Sequence, residues 1–133
     1  MSAQGTSLNS KKGICYCQYS FAVDGGTAGA ISVPCSPIPS GSIITNGVIN
    51  VTTAVAGTSS TVAIQVASSE DVLAATAEAT LALNAVLDVV PDGTAANMIK
   101  TASNIEAITF TVGVADLTAG VINVMLEYFP PVG

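Results

Sequence analysis

Short runs of alternating apolar and polar residues, separated by Gly, Ser, Thr and Pro, fill most of this chain. A period of two is the pattern of a half-buried strand, because successive side chains point to opposite faces. Residues 14–23 alternate: Cys15, Cys17, Tyr19, Phe21 and Val23 share one face, and Tyr16, Gln18, Ser20 and Ala22 share the other. Asp24-Gly25-Gly26 then predicts a turn. Residues 30–33 read as a second short strand. It stops at Pro34-Cys35-Ser36-Pro37-Ile38-Pro39, where three prolines remove ladder donors, so this stretch predicts an edge or loop rather than a central strand.

Residues 42–53 predict a longer strand. Its apolar parity shifts at Gly47, with Ile44 and Val48 on one face and Ile49 and Val51 on the other, which marks a bulge or a close backbone approach. Ala56-Gly57-Thr58-Ser59 turns the chain into residues 61–67, with Val62, Ile64 and Val66 inward and Thr61 and Gln65 outward. Ser68 stands three residues before Asp71, in the manner of a capping box. With the Ala-rich sequence that follows, it predicts a short helical turn over about 70–75. From Thr80 the alternation returns, with Leu81, Leu83, Ala85, Leu87 and Val89 opposite Asn84 and Asp88, and Pro91-Asp92-Gly93 ends it. Residues 94–103 read as a connection with one helical turn near 96–99. The last third predicts a hairpin. Ile108, Phe110, Val112 and Val114 form the inward face of one arm, residues 116–120 the turn, and Ile122, Val124, Leu126 and Tyr128 the inward face of the other.

About eight strands with turn signals roughly every 10–15 residues are the spacing of an all-β antiparallel sandwich or jelly roll. No long helical crossover supports a parallel α/β sheet, and no fixed-period repeat supports a solenoid or propeller. Residues 1–12 lack periodicity and read as a flexible N-terminal arm, leaving residues 13–133 as one β-sandwich domain.

Composition narrows the class of function. A chain of 133 residues can bury about two-thirds of its unfolded surface in a single core. It is 50% hydrophobic and 9% charged with a net charge of −6, and its mean hydropathy is +0.63. The negative charge disfavours nucleic acid and anionic membranes as partners. The high hydropathy leaves two readings, a membrane protein or a surface covered by other subunits. Residues 72–90 are the best spanning stretch, but they contain Glu78, Asn84 and Asp88, which argues against a membrane segment. The N-terminus has no apolar signal-peptide core, so synthesis in a cytoplasm is expected.

The chemistry-bearing residues are few. There is no His and no Trp. General acid–base work usually needs His or a tuned carboxylate pair. Glu70, Asp71 and Glu78 read instead as acidic residues complementing a helix N-terminus. Asp24-Gly25-Gly26 and Asp92-Gly93-Thr94 are turns without the oxygen density of a calcium loop. Gly25, Gly26 and Gly29 lack the Lys and following helix of a phosphate loop, and no serine sits in a nucleophile elbow. Asn50-Val51-Thr52 matches the glycosylation pattern but falls inside a predicted strand. Cys15 and Cys17 share one strand face and cannot readily bond to each other, while Cys35 could pair with either. An odd cysteine count points to free, half-buried thiols from a reducing compartment, and three thiols without His make a poor zinc set. No cofactor, metal or catalytic site is expected. Lys11 and Lys12 join the arm to the domain, where they are either solvated or dock the arm onto an acidic neighbour. Tyr16, Met125, Tyr128 and Phe129 are candidate subunit contacts, with core packing as the competing role for each.

Several runs resemble one family. They are Val33-Pro34 leading into Ser40-Gly41-Ser42-Ile43-Ile44-Thr45-Asn46-Gly47-Val48-Ile49-Asn50-Val51-Thr52-Thr53-Ala54, then Ser60-Thr61-Val62-Ala63-Ile64-Gln65-Val66 and Glu70-Asp71-Val72-Leu73-Ala74-Ala75-Thr76, and finally Ala119-Gly120-Val121-Ile122-Asn123-Val124-Met125-Leu126-Glu127-Tyr128. In their style of strand and turn they are similar to the small jelly-roll-like head decoration, or cement, proteins of tailed bacteriophages. The resemblance implies a non-enzymatic virion structural protein on the capsid exterior, made in the host cytoplasm. Its partners would be the major capsid protein and sister copies in dimers or trimers, bound between capsomers to stabilise the head. A tail-fibre or spike-associated domain binding host glycans is the alternative, and the scarcity of exposed-type aromatics weighs against it.

Overall fold

Eight strands follow one continuous hydrogen-bonded path, with a ninth paired beside it, and the sheet curls into two facing halves in the computed structural model, which describes residues 12–67, 71–89 and 99–131. The strands are β1 (Gly13–Ser20), β2 (Gly29–Ile38), β3 (Ile43–Gly57), β4 (Thr61–Gln65), β5 (Leu73–Ala77), β6 (Val86–Asp88), β7 (Ile99–Lys100), β8 (Ile105–Gly113) and β9 (Leu117–Phe129). Their order is β5-β4-β8-β2-β1-β9-β3-β6, with β7 also paired to β3, and every pairing is antiparallel. One half is therefore β1-β9-β3-β6 and the other β2-β8-β4-β5. Successive strands mostly cross from one half to the other, which is the winding of a jelly roll.

Alternation forms the core where it was expected. Cys15, Cys17 and Tyr19 of β1 point inward, as do Val62 and Ile64 of β4, Ile108, Phe110 and Val112 of β8, and Ile122, Val124, Leu126 and Tyr128 of β9. Tyr19 and Phe110 come from opposite halves and stack across the core at 5.4 Å between ring centroids. In β3 the register jumps between Ile44 and Asn46, so the extra residue is Thr45, and buried positions change parity from Ile44 to Ile49 and Val51. Gly47 itself is the close approach. A Cβ there would stand 2.5 Å from the Met125 carbonyl oxygen of β9.

Six expectations are corrected, each by a tertiary or side-chain competitor. β1 stops at Ser20 and residues Phe21–Asp24 make a helical turn, α1. The Asp24 carboxylate accepts the Ser20 N–H at 2.9 Å, which diverts the chain from the ladder, and Val23 ends 83% exposed instead of inward. Pro34–Ile38 is not an edge or loop, because β2 runs through it with β8 on one side and β1 on the other. Pro34 and Pro37 bracket the one residue, Cys35, that pairs with β1, and the ladder to β8 is bulged there, so the missing donors fall where the strand changes partner. The Ala-rich stretch is strand β5, not a helical turn. Asp71 accepts the Val66 and Ala67 N–H groups at 2.8 and 2.9 Å and closes the β4–β5 turn, so pairing with β4 overrides alanine's helix propensity.

The strand expected from Thr80 shortens to β6. Glu78–Thr80 forms a 3-10 turn and Asn84 takes a left-handed φ of 66°, which breaks the alternation and leaves Leu83 exposed. Finally, β8 and β9 do not pair as a hairpin. Val114, at φ 72°, carries the chain from one half to the other, where β9 inserts between β1 and β3. The acidic residues also differ from expectation, since Asp71 and Glu78 serve turns rather than a helix dipole, Glu78 accepting the Ser60 N–H at 3.1 Å. Ser68, Glu70, Pro91-Asp92-Gly93, residues 96–98 and the arm up to Lys11 lie outside the described residues, and Ile99, expected at the end of a helical turn, pairs with Ile44.

Burial of the β1 thiols makes stability sensitive to alkali. Desolvation, followed by the nearby Cys35 and Asp24, pushes the Cys17 thiol up from its ordinary 9.0 to about 12. Below pH 9 Cys17 is protonated in both folded and unfolded chains and its contribution is constant. Above 9 the unfolded chain sheds this proton while the folded chain keeps it, so stability falls until the folded thiol titrates. Urea unfolding followed from pH 8 to 11 should lose on the order of 1 kcal/mol per pH unit for such a thiol. Cys17→Ala should flatten that slope, and an unchanged slope would refute the assignment.

Candidate interaction surface

The outward positions of β1, β9 and β3 form one face. Register places Tyr16 beside Met125 and Met125 beside Val48, with Ile14, Glu127 and Asn46 in the row on one side and Gln18, Asn123 and Asn50 in the row on the other. Phe129 lies beside Ile43 at the end of this face. Five large apolar or aromatic side chains remain open to solvent: Ile14 is 57% exposed, Tyr16 46%, Phe129 41%, Met125 38% and Ile43 37%. A shallow depression of about 150 Å³ lies between β1 and β3, lined by Ile14, Asn46, Gly47, Val48, Met125 and Glu127. Such a contiguous apolar strip on a charged protein is the kind of surface that other proteins cover.

A polar network holds the strip in shape. The Tyr16 hydroxyl and the Gln18 amide both donate to the Asn123 side-chain oxygen at 2.8 Å. The Asn123 amide in turn donates to the Asn50 carbonyl at 3.3 Å and the Thr52 hydroxyl at 3.2 Å, which ties β1, β9 and β3 together. Asn123 is buried although its strand parity is outward, because Tyr16 and Gln18 lie over it. At the end of the strip the Lys12 ammonium reaches the Glu127 carboxylate at 3.0 Å and sits 5.2 Å from the Phe129 ring centre. Both partners of that ion pair are well exposed, so it orients Lys12 more than it stabilises the fold.

Four of the six residues singled out in the sequence thus meet on one face: Lys12, Tyr16, Met125 and Phe129. Tyr128 does not join them. It points inward from β9, over Gly13, where a Cβ would come within 2.6 Å of its ring and hydroxyl, and it takes the core role. Lys11 lies outside the described residues. Asn123 escaped attention as a site residue, although an Asn in mid-strand, where it is disfavoured, was the available signal.

The outer face of the other half has a different character. Thr61, Ala63, Gln65, Ala75, Thr111 and Gly113 line a low, uncharged surface on β4, β5 and β8. Among the described residues no group of three or more His, Cys, Asp or Glu is arranged to hold a metal ion.

No protein-family model matches the chain, and no curated protein matches it in sequence. Chains from three bacteriophage capsid structures are similar in fold. A chain in the capsid asymmetric unit of cyanophage Pam1 superposes with a TM-score of 0.66 at 17% identity, over 91% of this chain and 86% of that one. A chain in the acid-stable capsid of Helicobacter pylori bacteriophage KHP30 gives 0.61 at 14% identity, over 92% and 90%. One in the capsid of Ralstonia phage GP4 gives 0.61 at 11% identity, over 91% and 86%. At such identities the likeness establishes a shared fold.

Proposed function

We propose that this chain is a non-catalytic structural protein of a bacteriophage virion, a decoration protein that binds the exterior of the capsid and stabilises the head. The observation that carries this reading is the jelly roll shared, over nearly the whole length in both directions, with chains of three phage capsids. Those chains are therefore about the size of this one, small relative to a shell and suited to sit upon it. The strip on β1, β9 and β3 supplies the adhesive face, with the major capsid protein and sister copies as its partners. Burying apolar area at about 25 cal/mol per Å² drives each contact, and repetition over a symmetric lattice multiplies it.

Co-sedimentation with phage heads stripped of this protein tests the reading. Wild-type protein should saturate the heads at a fixed ratio to the major capsid protein. Met125→Glu buries a charge in the centre of the strip and should weaken binding by at least about 30-fold, with unchanged circular dichroism because Met125 faces solvent. Failure of the wild type to bind heads would overturn the decoration role, whereas full binding by the Met125 variant would overturn the choice of face alone.

A further inference from the structure

Asn46 and Gly47 sit side by side in the wall of the depression between β1 and β3. Of the seven asparagines in the chain, Asn46 alone is followed by glycine. Asn50 and Asn123 precede valine, Asn104 precedes isoleucine and Asn84 precedes alanine. Asn46 is exposed, and its Nδ2 donates to Glu127 Oε1 at a long 3.4 Å. It follows the bulge at Thr45, where the ladder to β9 loses register, so its backbone is held less tightly than that of a residue in mid-ladder. The residue after it cannot become larger, since a Cβ on Gly47 would stand 2.5 Å from the Met125 carbonyl oxygen. Close packing of β3 on β9 thus keeps a glycine behind an open asparagine.

We propose that Asn46 is a deamidation site, converted in water to aspartate and isoaspartate, and that this conversion weakens the exposed strip. The Gly47 amide nitrogen loses its proton and attacks Cγ of Asn46. A C–N bond forms, the bond from Cγ to the side-chain nitrogen breaks, and that nitrogen leaves with a proton as ammonia. The product is a five-membered succinimide joining the two residues. Water then adds to one of its two carbonyl carbons, and the bond from that carbon to the Gly47 nitrogen breaks. Opening at Cγ gives aspartate, and opening at the main-chain carbon gives isoaspartate. One water is consumed and one ammonia released, with no oxidant. The nucleophile is the adjoining residue, so no second molecule has to be brought into place. Glycine has no Cβ to crowd its own nitrogen, whereas the branched valines after Asn50 and Asn123 do.

The products change the strip in two ways. Glu127 Oε1 accepts from both the Asn46 amide and the Lys12 ammonium, the latter at 3.0 Å. An aspartate cannot donate there, so two carboxylates face one cation, and a chain already at −6 gains a further negative charge. That charge lies in the wall of an apolar depression and must be desolvated when a partner covers it. Isoaspartate also routes the main chain through an extra methylene just before Gly47, at the close approach of β3 to β9. The chemistry stands on these residues alone, and only its effect on head binding rests on the proposed function.

The test holds the full folded chain for weeks in mildly alkaline buffer, then maps it by thermolysin digestion and mass spectrometry. Isoaspartate is counted with protein isoaspartyl methyltransferase. Acid should accumulate at position 46 ahead of Asn50, Asn84, Asn104 and Asn123, and faster than in mildly acidic buffer. The converted fraction should melt on the order of 5 °C lower. Asn46→Gln should carry no isoaspartate at that position. Asn46→Asp should bind stripped phage heads on the order of 10-fold more weakly than fresh wild type. An intact Asn46 in the folded chain, with conversion only in urea, would overturn the proposed site. Undiminished head binding by Asn46→Asp would overturn the effect on the strip. Failure of fresh wild type to bind heads at all would instead count against the decoration role, and the peptide map would still decide the site.

Discussion

Phe110→Ala should cost about 3–5 kcal/mol of folding stability, the largest loss expected from any single truncation of this core. Phe110 is fully buried on β8 and stands between Ile31 of β2 and Ile64 of β4 in the ladder. Its ring reaches across the sandwich to stack on Tyr19 of β1, so it is packed from within its own half and from the facing one. Truncation removes apolar area and also leaves a void that strands held by ladders on both sides cannot close. Stacking adds about 0.5–1.5 kcal/mol beyond area. Against a total stability of about 5–15 kcal/mol typical of domains, the variant should unfold at a much lower urea concentration with an unchanged denaturant slope. Tyr19→Phe is the comparison. It keeps the stack and loses only the hydroxyl's bond to the Gly25 carbonyl at 2.5 Å, so it should cost about 1 kcal/mol. A loss in Phe110→Ala no greater than that would mean the two halves are not joined through this stack.

Gly47→Val should destabilise by about 3 kcal/mol and weaken binding to phage heads in the same step. β3 and β9 share the longest register in the molecule, and at Gly47 their backbones come too close for a side chain. A Cβ would meet the Met125 carbonyl oxygen at 2.5 Å and Leu126 Cδ2 at 2.9 Å. A backbone oxygen within a ladder cannot move aside as a flexible side-chain tip can, so the strands themselves must part. Met125 lies at the centre of the exposed strip, and parting β3 from β9 displaces it. Urea unfolding reads the first effect, and co-sedimentation at a temperature where the variant remains folded reads the second. Wild-type stability in this variant would show that the close approach does not constrain the sheet.

The strip illustrates what parity alone can reveal. Tyr16 and Met125 fall on outward positions of their strands by simple alternation, and Tyr128 falls on the inward one, so its core role was already written in the pattern that placed Ile122, Val124 and Leu126 inside. What alternation could not reveal is that β1 and β9 are neighbours. Their adjacency puts Tyr16 beside Met125, although residues 17–124 lie between them along the chain. The same ignorance of neighbours produced the mistaken hairpin of β8 and β9. Asp24 and Asp71 misled for a different reason. An aspartate near a strand end can cap, turn or solvate, and which backbone N–H it meets depends on where the chain has already gone.

The order of residues by itself determined the all-β character, the inward and outward faces of β1, β4, β8 and β9, and the parity shift in β3. These are local properties, because backbone geometry alone sends successive side chains to opposite sides. Tertiary structure alone decided which strands pair, where β2 passes from one half to the other, and which outward residues share a face. Those outcomes depend on contacts between segments far apart in the chain, whose combined burial outweighs any local preference.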